Sequence, residues 1–227
     1  MRYPFTPELL DALPEELAEL YRNLENTLLE EICSRLKVSG ELNEVTVLDI
    51  QALRSHGISQ QEIERAIRRT TNISEKNLTE LLDDVVEWNQ RYYSELIKIA
   101  DVTAPKTLLS IEDTYAIYEQ TRKTFRNITQ SMAFLLDNGR TLLRPASAYQ
   151  WALDNAVLQI QSGAISYNQA IRGAVKQLAD SGIKTAEYES GHMDQIDVAV
   201  RRAIMTGINQ LCEQYSEQGM DYLETDL

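Results

Sequence analysis

The sequence predicts a mainly α-helical protein, a multi-helix domain with one short β-hairpin between its two C-terminal helices. Three observations carry this. Apolar residues recur at spacings of three and four over most of the chain, which places them on single helix faces. Helix start signals stand in front of those stretches, most clearly at Ser59 and Ser166. Only residues 183 to 194, "IKTAEYESGHMD", change to a short alternating pattern around a Ser-Gly turn dipeptide.

Taken in order, "TPELLDALPEELAELYRNLENTLLEEICSRLK" begins with Thr6 as a cap and Pro7 in the first helical position, and Pro14 restarts the helix after a bend. Leu17, Leu20, Leu24, Leu28 and Ile32 then form one apolar stripe. In "HGISQQEIERAIRRTTN", Ser59 and Glu62 have capping-box spacing, Ile58 and Ile63 stand at staple positions, and Gly57 closes the preceding helix. A helix from Ser74 to about Ala100 follows, then a break around "DVTAPK" and a helix from Ser110 to about Leu136. "DNGRTLLRP" breaks the chain before a helix around Trp151.

The stretch "SGAISYNQAIRGAVKQL" repeats the capping chemistry with Ile165, Ser166 and Gln169. Tyr167, Ala170, Ile171, Ala174, Val175 and Leu178 make its apolar face, and Gly182 stops it. Beyond the hairpin, Ile196, Ala199, Val200, Ala203, Ile204, Gly207, Ile208 and Leu211 keep a regular helical stripe. Within it Ala199, Ala203 and Gly207 form a ridge with almost no side-chain bulk, so another helix can approach closely. The hairpin then reverses the chain and sets how its two flanking helices meet. The expected organisation is a helical N-terminal region, residues 1–161, with the helix, hairpin, helix unit of residues 162–227 packed on it.

With 227 residues, 43% of them hydrophobic and 25% charged, the chain can bury a real core as one domain or two closely packed ones. Its 22 basic and 35 acidic residues leave a formal net charge of −13, a field that repels phosphate and disfavours nonspecific nucleic-acid binding. Cys33 and Cys212 sit far apart in apolar helical patterns and read as buried free thiols in a reducing compartment. No apolar run has the length of a secretory signal core or a membrane span.

Catalytic chemistry finds little to work with. A triad or a histidine-based zinc site needs imidazole near its partners, and the only histidines are His56 and His192. His56 stands at a helix end, where a cation suits the helix dipole. Glu187, Glu189 and His192 are near one another in sequence but lack a fourth ligand. The nine glycines are scattered, and no phosphate-cradling loop occurs. No catalytic residue, bound metal or cofactor is expected.

Arg65, Arg68 and Arg69 on one helix, and Arg122, Lys123 and Arg126 on another, are interleaved with acids and read as solvated faces. Arg201 and Arg202 interrupt the polar side of the most regular helix, a small footprint beside the roughly 6 to 10 phosphate contacts of a strongly salt-dependent binder. The eleven tyrosines, Tyr92, Tyr93, Tyr115 and Tyr118 among them, suit an interface and a partly buried helix face equally well.

Three segments, "TPELLDALPEELAELYRNLENTLLEEICSRL", "SGAISYNQAIRGAVKQLADSGI" and "EYESGHMDQIDVAVRRAIMTGINQ", together resemble the tailed-phage minor capsid protein 2 family of phages and prophages of Gram-positive bacteria. The resemblance is most specific at Tyr188, Ser190 and Gly191 and in the helix carrying Arg201 and Arg202, so these five are its candidate binding residues. The chain has His192 where the family usually carries a basic residue after the Ser-Gly pair, and it stops at Leu227 where members commonly continue.

The resemblance implies a structural minor protein of the phage head, inside the virion and in the host cytoplasm during assembly, that binds the portal vertex or neighbouring head proteins. It implies no established catalytic residue, and the lack of a long apolar run leaves no membrane partner expected. The alternative is a DNA-contacting packaging or ejection factor in the head, acting through a local basic face. An enzyme acting on phage DNA or cell wall comes third.

Overall fold

A computed structural model of the chain describes residues 12–38, 58–103, 105–136, 141–162, 165–184 and 193–225. Among the described residues six helices accompany one small three-stranded antiparallel sheet, so the chain is mainly α. Thr6, Pro7, His56, Gly57 and the hairpin tip, residues 185–192, lie outside the described residues.

Helix α1, Glu15–Val38, opens on Pro14, whose carbonyl accepts the Ala18 N–H at 2.9 Å. Of its expected stripe, Leu17, Leu24 and Leu28 are buried, with Leu20 half-buried between them, and the side chain of Ile32 is not among those described.

Helix α2, Ile58–Ile99, is one helix of 42 residues where the sequence reads as two. Ser74, read as a start signal, is instead fully buried inside it. The physical reason is that no Gly or Pro occurs between 58 and 99, while Thr71 and Thr79 donate back to the carbonyls of Ile67 and Glu75 at 2.8 and 2.9 Å. Such hydroxyls are satisfied without ending the helix. Its true end is a Schellman turn: Asp101 at φ 62° donates to Lys98, and Val102 donates to Ile97.

Helix α3, Ile111–Gln130, starts on Ser110, whose Oγ accepts the Asp113 N–H at 3.0 Å. It does not continue to Leu136. Ser131 and Met132 turn the chain through bonds to Ile128 and Thr129, and Ala133–Leu136 becomes strand β1. Strand β2, Thr141–Leu143, pairs antiparallel with it, Phe134 opposite Leu143. Four apolar residues show no period of their own, and here the sheet supplies the partners.

Helix α4, Pro145–Gln161, packs on helix α5, Tyr167–Ser181, and both lie against β1. The Ser166 capping box forms as the sequence implies, its Oγ accepting from Gln169 while the Gln169 side chain accepts from the Ser166 N–H at 3.0 Å. Ala170, Ala174 and Leu178 are buried and Val175 half-buried, whereas the side chains of Tyr167 and Ile171 are not among those described. Gly182 closes α5 at φ 63° and ψ 171°, a region open essentially to glycine alone.

Strand β3, Ile183–Lys184, pairs antiparallel with β1, and Lys184 bridges Gln195. The hairpin base therefore exists, but its strand completes a sheet with β1, which the sequence reads as helix. Helix α6, Ile196–Thr225, buries the whole expected stripe from Ile196 to Leu211.

The chain forms two compact units, each drawn from separate stretches of sequence. One comprises Met1–Glu19, Asn72–Asn127 and Val198–Leu227, and the other Leu20–Thr71 and Ile128–Asp197. Helices α1, α2, α3 and α6 each contribute residues to both.

In the second unit, the buried Tyr21 hydroxyl meets that of Thr129 at 3.1 Å, and Arg22 pairs with Asp197 at 3.3 Å. There Glu25 accepts the Ile183 N–H at 3.1 Å, and burial holds its carboxyl above the usual range. In the first unit, Ile97, Leu108, Leu109 and Tyr215 form a buried cluster, with Tyr93 and Leu223 against it.

Candidate protein-docking surface

Of the five candidate residues, Tyr188, Ser190 and Gly191 lie outside the described residues, as does His192. Arg201 and Arg202 follow one another on α6. Arg201 donates to Glu15 of α1 at 2.7 Å, and Arg202 is exposed and also has an interaction partner.

The other basic clusters behave alike. Arg68 pairs with Glu64 at 3.2 Å, Arg122 with Glu119 at 2.7 Å, and Arg126 grips both oxygens of Glu75 at 2.9 and 3.2 Å. These arginines cross-link helices or cover their own turns, and screening by solvent leaves such pairs a small part in stability.

The tyrosines divide between the two readings. Tyr118 is buried and donates to Asp83 at 2.7 Å, and burial, then Asp83, pushes its phenol above the usual range. Tyr92 stacks on Trp88 with ring centroids 5.7 Å apart and meets Tyr93 edge-on at 4.9 Å. Tyr115 instead stands 61% exposed on α3.

Cys212 is a half-buried free thiol that receives a hydrogen bond from Asn89 at 3.5 Å. Burial raises its pKa, which leaves it a poor nucleophile. The side chain of Cys33 is not among those described.

The ridge on α6 meets a helix at Gly207. A Cβ on Gly207 would fall 2.6 Å from Thr121 Oγ1, so α3 is the close neighbour. A second tight approach, Gly219 against the Tyr93 ring of α2, carries no comparable sequence signal.

Further along the same two helices they part to leave a groove of about 370 Å³. Asp113 and Gln120 of α3 face Gln210, Glu213, Gln214 and Glu217 of α6 across it, and Ala116 and Ile117 supply apolar surface. No lysine or arginine is among the lining residues, and Gln214 Oε1 is shut off from solvent without a hydrogen-bond partner. None of these residues stands out in the sequence as a candidate site. The one available signal was the repeat of Gln210, Glu213, Gln214 and Glu217 at spacings of three and four.

Among the described residues no three His, Cys, Asp or Glu side chains are placed to hold one metal ion. No helix among them is long and apolar enough to cross a membrane.

The profile of the family described as Phage minor capsid protein 2 matches residues 5–227, nearly the whole chain. No curated protein and no solved structure matches the chain significantly. With that match spanning both compact units, the chain belongs to the phage minor capsid protein 2 family.

Proposed function

We propose that this phage minor capsid protein is a structural part of the head interior that docks on the portal vertex or on neighbouring head proteins, without catalysis. Assembly takes place in the cytoplasm of the bacterial host of a phage or prophage. The observation that carries the reading is a contrast at the surface of the first unit. There Arg122, Arg126 and Arg201 pair with carboxylates, while Ile99, Ile111 and Tyr115 stand 75, 83 and 61% exposed. Exposed large apolar groups suit a protein partner, and a net charge of −13 opposes a phosphate backbone.

Coexpression with the cognate portal protein, followed by size exclusion at about 0.15 M salt, tests this, because nonspecific DNA contacts are already weakened there. The expected result is coelution with intact portal rings and no DNA retention. Separate elution, together with DNA binding abolished by Arg201→Glu and Arg202→Glu, would instead establish the packaging or ejection factor.

A further inference from the structure

We infer that the Glu25 carboxyl is a proton-operated clasp on the outer edge of strand β3, holding the base of the hairpin to α1 more firmly when neutral than when charged. The inference stands apart from the docking role, and every residue in it lies in the second unit.

The sheet runs β2-β1-β3, so β3 is an edge strand, and an edge presents backbone groups that need partners. Ile183 faces Phe134 of β1 and is fully buried, yet both of its backbone polar groups are served from the other side. Glu25 of α1 accepts its N–H at 3.1 Å. With its amide turned to satisfy both neighbours, Gln195 donates to the Ile183 carbonyl at 3.3 Å and accepts from the Lys184 ammonium. Lys184 and Gln195 also form the backbone bridge at the hairpin base. Two side chains thus stand where a further strand would.

The fit is close. A Cβ on Gly182, which sits at φ 63°, would lie 3.0 Å from Glu25 Oε1 and 2.9 Å from the Gln195 amide. The carboxyl is therefore held against the turn that ends α5, partly withdrawn from water, where a charge is costly. Asp197 at the start of α6 adds repulsion, although Arg22 of α1 pairs with it at 3.3 Å. Strand β1, "AFLL", contributes no charged side chain.

Burial is the largest influence on Glu25; the Ile183 N–H and Lys184 favour its charged form, and Asp197 disfavours it. The outcome is a carboxyl that takes up its proton above the usual carboxylate range. Once neutral, it still offers a carbonyl oxygen to the Ile183 N–H, so the contact survives while the cost of the charge is removed. The folded chain binds this proton more tightly than the unfolded chain does. The clasp therefore gains strength as pH falls through the folded pKa and loses it as pH rises.

Amide hydrogen exchange of the full chain tests this, with protection at Ile183 divided by that at Ala152, a buried residue of α4 in the same unit, so that global changes cancel. Acidification from about pH 7.5 to about pH 5 is expected to raise the wild-type ratio at least ~3-fold. Glu25→Gln keeps an acceptor without the charge, and should show the raised ratio at both pH values. Glu25→Ala leaves the buried N–H unserved and should lower the ratio ~10-fold at either pH. A wild-type ratio that is flat or falls on acidification, a Glu25→Gln chain that follows the wild-type pH profile, or an unchanged ratio in Glu25→Ala would each overturn the inference.

Discussion

Helix α6 meets α3 in two opposite ways within a few turns. At Gly207 the helices touch so closely that a single added Cβ would lie 2.6 Å from Thr121 Oγ1. Two turns on, around Glu213 and Glu217, they leave an open groove lined with acids and amides. The first contact is closed by removing side chains, and its value is packing. The second stays open between carboxylates and amides from both helices. One helix thus carries a close packing contact and an open polar groove on adjacent stretches, and substitutions should separate them.

The largest effect is expected from Gly207→Leu, which forces Thr121 or the helix axis to move; overpacking of this kind costs roughly 3 kcal/mol at its upper range. Chemical denaturation should show it as a drop in midpoint without a change in slope. Ala203→Leu, one turn earlier at a position 8% exposed, is expected to cost about 2 kcal/mol. An unchanged midpoint there would mean that the ridge has slack beyond Gly207.

Gly207→Ala sharpens the same contact. The better helix propensity of alanine returns about 1 kcal/mol, so the net loss should be only about 1 kcal/mol. Pairing it with Thr121→Ala should recover most of that, a coupling of at least ~0.5 kcal/mol in a double-mutant cycle. Additive losses would place the strain elsewhere. At the groove the smallest stability effect is expected: Glu213→Gln with Glu217→Gln should leave thermal stability unchanged or raise it by about 0.2 to 0.5 kcal/mol through relief of like-charge repulsion. A loss above about 1 kcal/mol would mean that these carboxylates hold the fold together and would end the comparison.

The two stretches also differ in how visible they are in the sequence. The ridge is legible because a helical stripe is a property of one segment: Ala199, Ala203 and Gly207 declare a close approach whatever the partner. Its partner was not legible, since nothing local to α6 distinguishes Thr121 of α3 from residues of α5. The groove was invisible for the same reason twice over, because Asp113 and Glu217 become neighbours only when the helices pair.

Errors in the fold have similar origins. "AFLL", residues 133–136, has too few residues to reveal a period, and its strand character comes from pairing with Thr141–Leu143 and Ile183–Lys184. Ser74 looked like a cap because serine usually is one at such a junction, yet burial inside α2 leaves it helical. Ser166 carried the same signal and did cap α5, because Gln169 completed the box. Tyr188, Ser190 and Gly191 drew attention through the family resemblance alone, and their geometry lies outside the described residues.

The most direct measurement is zero-length carbodiimide cross-linking of the coassembled portal particle, read by mass spectrometry, since this reagent joins carboxylates only to amines in contact. A chain that docks on head proteins predicts links from its exposed carboxylates to lysines of a partner protein. No links from the chain to any head protein, with the chain released from particles by nuclease alone, would contradict it.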